Sequence, residues 1–272
     1  MLTLIFGFLA FAAAFALGWA FWPWPPHSNL WAGLFGFIAF LAAAIPLNLR
    51  VKRQVDRVFG KVQKILTDGQ AALRRQAEQM QRGFSGSPKA MQPLLEKRQA
   101  ELIREALAVI DEIAPLKRWS LLVERQANTV RAQLHFQLKE YEKCDEYMRK
   151  ALLFDPYALA LKLVRMYARG EKAPLEKALK KATLRFKGEK GLLFYALHSW
   201  ILVKENRIPE AVELLAKGKD ATGNEVLRQN WEHLANGRAK QFSNAGLGEL
   251  WYALQLEAPK PVRMRQPQPR FR

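Results

Sequence analysis

The segment from Ala132 to Pro156, AQLHFQLKEYEKCDEYMRKALLFDP, decides the fold because its pattern recurs three more times downstream. Small residues follow one another at steps of 34, 33 and 34 positions: Cys144, Ala178, Ala211 and Ala245. A large apolar residue stands three positions before each of them: Tyr141, Leu175, Ile208 and Phe242. A nearly constant step predicts repeated pairs of helices, which must stack because one pair alone cannot bury its apolar face.

The same segment resembles a tetratricopeptide repeat. It has a short turn at Lys139-Glu140, and five residues fall where that family places them: Ala132, Tyr141, Cys144, Ala151 and Pro156. The resemblance extends over residues 119–259 and implies a binding scaffold. The later repeats depart from the pattern, since Arg185 stands where the first has Ala151, and Gly246 and Gly248 fall where a helix interior is expected. We therefore expect the outer repeats to be degenerate or to act as caps.

Charge divides the chain into two regions of different character. Residues 1–49 contain no Lys, Arg, Asp or Glu, so the whole net charge of +18 lies between Arg50 and Arg272. A basic excess of this size predicts attraction to anionic lipid, acidic protein or nucleic acid without choosing between them. The single cysteine, Cys144, excludes an internal disulfide and fits a reducing compartment.

Two uncharged stretches of twenty residues lie near the N-terminus, Leu2–Phe21 and Leu30–Leu49. At about 1.5 Å rise per residue, each helix would reach about 30 Å, the thickness of a bilayer's hydrocarbon core. Both are therefore predicted to span a membrane. The alternative for the first is a cleaved signal peptide, yet it lacks a positive n-region and its apolar run exceeds a usual h-region. Three prolines between Pro23 and Asn29 predict a tight turn, which makes the two helices a hairpin.

The two ends of this hairpin carry different residues. Tryptophans cluster around the turn, where indole rings favour the headgroup level, and cations follow the second helix. These predicted membrane-interface residues are Trp19, Trp22, Trp24, Trp31, Arg50, Lys52, Arg53 and Arg57. Because basic residues beside a spanning helix stay on the cytoplasmic side, we expect a bacterial-type inner membrane with the turn outside and both termini in the cytoplasm.

A helical stalk is predicted next. Apolar residues line one helix face at steps of four and three, as in a short coiled-coil seam: Val51, Val55, Val58, Val62 and Ile65. Since the seam is short, a single helix lying against the repeats or the membrane is the alternative. A second amphipathic helix is expected from Pro88 to Ala114, and it is expected to pair with residues 54–81 as an antiparallel stalk.

The predicted fold is all-α and has four parts. They are a hairpin anchor over 1–49, a stalk over 50–116, tetratricopeptide-like repeats forming an α-solenoid over 117–259, and a disordered basic tail over 260–272. Within the repeats, helices are expected over residues 120–138, 140–154, 158–169, 175–186, 192–204, 209–217, 225–235 and 247–256. The glycines at both ends of Gly218–Gly223 favour a loop between two of these helices.

The sequence offers no group of residues arranged for catalysis or for binding a metal or cofactor. Its four histidines stand far apart, without an H-E-x-x-H motif or a second cysteine. Gly218–Gly223 has the first spacing of a phosphate loop, but Asn224 and Glu225 replace the Lys and Ser/Thr that contact phosphate and magnesium. Cys144 occupies a buried small position rather than the exposed setting of a nucleophile. We expect a non-catalytic protein.

Binding residues follow from the resemblance, because the first helix of each tetratricopeptide repeat lines a concave groove. Aligning the repeats by their small residue implies nine groove positions: Gln126, Thr129, Gln133, Phe136, Tyr167, Trp200, Lys204, Asn230 and Arg238. Tyr167 and Trp200 are the expected anchors, since aromatic side chains dominate interface energetics. For Trp200, packing in the core between repeats is the alternative.

The sequence therefore predicts a membrane-anchored scaffold that holds a protein partner in its groove at the inner face of the membrane. An alternative is a membrane-anchored binder of nucleic acid or another acidic ligand. It would use the stalk, the tail and a basic cluster in the second repeat: Lys172, Lys177, Lys180, Lys181, Arg185, Lys187 and Lys190.

Overall fold

The protein is all-α, as the sequence predicts. The computed structural model describes residues 2–21, 28–83 and 88–258, and every regular element in these ranges is helical. The chain forms two compact units, an N-terminal unit over Met1–Leu152 and a C-terminal unit over Leu153–Arg272. The proline turn with Trp22 and Trp24, the loop that precedes Pro88 and the basic tail lie outside the described residues.

In its described residues the N-terminal unit contains five α-helices and a short 3₁₀ turn. Their bounds are α1 Leu2–Phe21, α2 Ser28–Gly83, α3 Pro88–Asp111, the 3₁₀ turn Ala114–Arg118, α4 Leu121–Gln137 and α5 Tyr141–Lys150. The second apolar stretch and the first stalk segment are one uninterrupted helix, since α2 continues through Pro46 for 56 residues. At the rise of an α-helix this is about 84 Å.

The helices α1 and α2 form an antiparallel hairpin that packs through glycine. A Cβ atom added to Gly7 would lie 2.7 Å from the Phe40 ring, and one added to Gly36 would lie 2.9 Å from the Phe11 ring. Both helices are long and apolar enough to cross a membrane. Because one face packs through small residues, most of the large apolar side chains of the hairpin point outward and are exposed.

The stalk is an antiparallel pair of α2 and α3. Lys61 Nζ lies 2.7 Å from Glu112 Oε2, and Arg98 Nη1 donates to Gln76 Oε1 at 2.6 Å. The valine face of α2 is buried from Val51 to Val62, and it shares a core with apolar residues of α3 and α4. The predicted seam therefore packs against two helices.

The helices α4 and α5 form the first helical hairpin, and its second helix is shorter than predicted. Residues 140–154 were expected to be helical, but α5 ends at Lys150 and Ala151 is extended. The hydroxyl of Thr129 takes the place of a helical hydrogen-bond partner for Leu152: Leu152 N donates to Oγ1 at 3.0 Å, and Oγ1 donates to Leu152 O at 2.9 Å. These bonds hold Leu152 against α4 and end the helix.

The C-terminal unit contains α6 Pro156–Ala168, α7 Lys172–Arg185, α8 Leu192–Lys204, α9 Ile208–Thr222, α10 Glu225–Ala235 and the short α11 Glu249–Tyr252. Successive helices from α6 to α10 pack on one another, and α6 also contacts α8. The helix expected over 247–256 is wrong in its bounds, because Gly248 adopts φ +61° and ψ −136°, outside the helical region. Only one turn of α-helix follows it.

The loop expected at Gly218–Gly223 is also wrong, since α9 continues to Thr222. Gly218 lies inside this helix and is buried, and a Cβ atom there would meet the Tyr195 ring at 2.9 Å. The glycine therefore permits close packing of α9 on α8. Gly223 ends the helix in the left-handed conformation, with φ +64°.

The core of the C-terminal unit is centred on α8 and closed by α11. Trp251 is fully buried, and its ring meets that of Trp200 edge-on at 6.1 Å between centroids. Both indole N–H groups donate to the carboxylate of Glu257, at 2.7 Å from Trp200 and 2.9 Å from Trp251. One carboxylate thus satisfies two buried donors and fixes the chain after α11 on α8.

Candidate functional site

Three of the nine predicted groove residues are buried in the packing of their units. Phe136, Trp200 and Asn230 expose 1%, 6% and 2% of their surface. Trp200 packs edge-on against Tyr167 with ring centroids 5.5 Å apart, and Asn230 donates to Asn244 Oδ1 at 2.9 Å. A partner could touch these side chains only if this packing opened. Trp200 therefore lies in the core, which was the alternative to a groove position.

Thr129 is occupied by its hydrogen bonds to Leu152, so its hydroxyl has a structural role. The other predicted groove residues are reachable from solvent. Gln133 and Tyr167 are half-buried, and Gln126, Lys204 and Arg238 are exposed. The ammonium of Lys204 lies 5.3 Å from the centroid of the Trp200 ring, so this lysine covers the indole. The nine residues divide between the two units, and those of the C-terminal unit begin at Tyr167.

A pocket of about 390 Å³ opens in the C-terminal unit beside Tyr167. Its apolar wall comes from Leu175 and Leu179 of α7 and from Ile201 and Leu202 of α8. Residues 170–173, which run from the turn after α6 into the first turn of α7, also line it. Sequence reasoning named Tyr167 but missed the pocket, because its walls come from two helices whose apolar residues look like ordinary core.

His198 is the chemically distinctive residue of this pocket. It lies on α8, exposes 6% of its surface and lines the cavity. Its ring atom Nδ1 is buried and finds no hydrogen-bond partner in the described part of the chain. Burial lowers the pKa of His198, because removal from water penalises the imidazolium form. The ring is therefore neutral near pH 7.

A network of ion pairs borders the pocket. Arg207 forms ion pairs with Glu210, with Glu205 at 3.3 Å and with Glu176 at 3.5 Å. Lys172 lies 3.2 Å from Glu205, and Lys180 lies 3.1 Å from Glu176. The hydrogen bond from Lys180 lowers the pKa of Glu176, and the hydrogen bond to Glu210 raises the pKa of Arg207. All three carboxylates, of Glu176, Glu205 and Glu210, are engaged in ion pairs with basic side chains.

The pocket combines an apolar wall with one buried imidazole. Within the described residues no group of three or more His, Cys, Asp or Glu side chains could hold a metal ion. An apolar wall with one unpaired polar atom fits a side chain that has an apolar body and a polar tip. A histidine in the middle of the apolar run LLFYALHSWILV is the sequence signal that could have directed attention here.

The basic cluster of the second repeat lies mainly on α7. Lys177, Lys181 and Arg185 are exposed. Lys172 and Lys180 are exposed as well, but each is paired with a glutamate of the pocket border. The guanidinium of Arg185 lies 5.0 Å from the centroid of the Phe186 ring, where it is attracted by the face of the aromatic system. This helix face is cationic, although part of its charge is neutralised.

Comparisons of the chain with protein-family models, with curated proteins and with solved structures gave no match.

Proposed function

We propose that this protein is a membrane-anchored scaffold that binds a protein partner at the cytoplasmic face of the inner membrane. The apolar hairpin of α1 and α2 supplies the anchor, and tetratricopeptide-like helical hairpins supply the binding surface. Holding a partner beside the membrane raises its effective concentration there without any chemical step. The scaffold is non-catalytic and needs no cofactor.

Charge supports the proposed orientation of the anchor. Arg50, Lys52, Arg53 and Arg57 are exposed on α2, directly after its apolar part. Trp19 and Trp31 are exposed at the opposite end of the hairpin. Cations next to a spanning helix favour the cytoplasmic side, whereas tryptophan favours either headgroup region. These observations support a cytoplasmic location for the stalk and the C-terminal unit.

The observation that carries the proposal is the pocket beside Tyr167, whose lining includes His198 with its buried and unpaired Nδ1. An unsatisfied buried polar atom costs about 1–3 kcal/mol, so a bound group that pairs with it recovers part of that cost. The apolar wall stabilises a hydrocarbon or aromatic side chain at the same time. We assign this pocket to a partner side chain with an apolar body and a polar tip, such as a tyrosine.

Site-specific photocrosslinking in intact cells tests the assignment. A photoreactive amino acid replaces Ala173, which is exposed and lines the pocket, and in a separate variant Glu213, which is exposed on α9. We expect a discrete protein adduct from position 173 only, and we expect His198→Leu to reduce it because the pocket loses its polar atom. His233→Leu on α10 is the matched control and should leave the adduct unchanged. The same adducts from positions 173 and 213 would contradict the proposal.

The second candidate function is binding of nucleic acid, which the exposed cations of α7 favour. Phosphate contacts need only Lys and Arg, and their strength falls steeply as salt rises. A titration of the protein with nucleic acid at two salt concentrations separates the two functions. Strong binding that weakens with salt supports the second function, and no binding at about 0.1 M salt removes it.

A further inference from the structure

The turn before α4 contacts the start of α1. Thr3 Oγ1 donates to the backbone oxygen of Trp119 at 3.2 Å, and Thr3 exposes 4% of its surface. The Phe6 ring stacks on the Trp119 ring with centroids 6.1 Å apart and an interplanar angle of 24°. Trp119, which is 116 positions downstream of Thr3, is thus held against the apolar hairpin.

The pairing of α1 with α2 gives the depth of this contact. A Cβ atom on Gly7 would touch the side chains of Phe40, at 2.7 Å, and Ala44, at 3.4 Å, so Gly7 is level with residues 40–44 of the antiparallel hairpin. Thr3, four residues before Gly7, is then level with residues 44–48. Arg50 lies two to six residues further along α2, a rise of about 3–9 Å. Trp119 therefore lies at the end of the hairpin where the charges begin.

The segment around Trp119 has the composition of a membrane interface. Residues 114–122 read APLKRWSLL and contain two cations and no acidic residue. Lys117 and Arg118 are exposed and Trp119 is half-buried. Leu122, in the first turn of α4, exposes 53% of its surface. Tryptophan favours the headgroup level, leucine the acyl chains below it, and cations the phosphates of anionic lipids.

We propose that Lys117–Leu122 is a third membrane contact, which binds anionic lipid headgroups of the cytoplasmic leaflet beside the hairpin. It rests on the anchoring part of the proposed function but not on the partner. Two observations select lipid as the occupant: the segment is continuous with the apolar surface of α1 through Thr3 and Phe6, and its exposed charges are all positive. In this arrangement α4 starts at the membrane surface.

Fluorescence quenching in reconstituted vesicles tests the depth of the segment. The only cysteine, Cys144, is buried and is replaced by alanine, so that single cysteines can carry a fluorophore. The label is placed at Leu122, at Phe8 within the hairpin, and at Glu142 on α5, beyond the far end of α4. Spin-labelled lipids should quench the labels at Phe8 and Leu122, and a water-soluble quencher should reach only the label at Glu142.

The lipid preference is tested with the charge-neutralised variant Lys117→Gln/Arg118→Gln. With wild-type charges, spin-labelled phosphatidylglycerol should quench the Leu122 label at least about twofold more than spin-labelled phosphatidylcholine, because anionic lipid gathers around the cations. The variant should remove this preference. The matched variant Lys139→Gln/Lys143→Gln, in the turn after α4 and the first turn of α5, should retain it.

Each failure has a separate meaning. If lipid quenches the Phe8 label but the Leu122 label is as open to the aqueous quencher as the Glu142 label, this inference is overturned and the anchor stands. Equal quenching by both lipids with wild-type charges also overturns it, since the segment then binds no anionic headgroup. If the Phe8 label itself escapes lipid quenching, the anchoring fails and the inference fails with it.

Discussion

The helices α1 and α8 are both almost entirely apolar, yet α8 buries its apolar residues and α1 exposes most of them. α8 buries nine of its 13 residues among its neighbours. In the most apolar window of α1 only 11% of the residues are buried. The composition of a helix is therefore a poor guide to its environment. The number of other helices that pack against it is a better guide. α8 is enclosed by protein, whereas α1 exposes an apolar surface of the kind that a bilayer would cover.

The two helices also differ in how they pack. The hairpin uses glycines that let phenylalanine rings approach the backbone, as at Gly7 and Gly36. This close approach is typical of helices that associate without a hydrophobic driving force. α8 instead packs through Trp200, whose donor is satisfied by Glu257. A buried donor needs a polar partner within the protein, because the surrounding side chains keep water away from it.

Deleting residues 1–49 should have the largest effect, because it removes the whole surface that α1 and the apolar part of α2 expose. We expect the full chain to stay with the membrane fraction after alkaline extraction and the truncated chain to become extractable. Deleting residues 260–272 is the control and should leave the protein in the membrane. If the chain without residues 1–49 resists extraction while it is soluble in mild detergent, the hairpin is not the main anchor.

Trp251→Ala should have the next largest effect, confined to the C-terminal unit. Removing a fully buried indole leaves a cavity, and such truncations cost about 3–5 kcal/mol. Hydrogen exchange of the full chain should show weaker protection of α8 and unchanged protection of the stalk. The neighbouring Leu250 is partly exposed, and Leu250→Ala should change protection by less than about 0.5 kcal/mol. Similar losses for the two variants would mean that α11 does not close the core.

Arg131→Met tests how the N-terminal unit joins its stalk to its first hairpin. Arg131 is buried and donates to Asp111 Oδ1 at 2.8 Å and to Asn128 Oδ1 at 3.0 Å. Methionine keeps the apolar stem but removes these bonds, which should destabilise α4 by about 1–2 kcal/mol. Protection of the α4 amides from hydrogen exchange measures the loss. Arg125→Met on the exposed face of α4 serves as the control. An equal loss of protection in that variant would mean that the hydrogen bonds of Arg131 do not stabilise α4.

The smallest effect concerns pH and His198. Because burial lowers its pKa, the unfolded state binds a proton more readily than the folded state. The stability of the C-terminal unit should therefore be fully present above pH 6.5, the ordinary pKa of histidine, and should fall as the pH drops below it. Charges that face the ring from α7 and α9 modify the effect: Glu176, Lys180, Arg207 and Glu210.

Thermal unfolding at neutral and mildly acidic pH measures this contribution. His198→Leu should lose less stability on acidification than the wild type, since leucine does not titrate. His233→Leu should behave like the wild type in the same comparison. A wild type and a His198→Leu variant with identical pH dependence would show that the imidazole is protonated equally in both states.

Much of the fold could be predicted from local patterns. The valines from Val51 to Val62 recur at helical spacing, and they are buried on one face of α2. Asn224 caps α10 by accepting from Val226 N at 2.9 Å, and a helix start at Glu225 was expected. Patterns of this kind need only neighbouring residues of one helix. They can therefore be recognised without knowing how the rest of the chain folds.

The remainder depends on contacts between distant residues. Gly218 looks like a loop residue until Tyr195 is placed beside it, and the early end of α5 depends on the hydroxyl of Thr129. The candidate pocket was missed for the same reason, since it exists only where α7 and α8 leave a gap next to His198. Trp200 was ambiguous because nothing near it in sequence indicates that Trp251 and Glu257 will enclose it.

The unbroken course of α2 has a mechanical consequence. Residues 50–83 continue the axis of the apolar helix for about 50 Å, so with the proposed anchor the stalk would be a lever whose pivot lies in the bilayer. A spanning helix adjusts its tilt to the local thickness of the lipid. A change in tilt of about 10° would swing the distal end of this lever by about 9 Å. Lipid thickness would thereby set how far the stalk tip stands from the membrane surface.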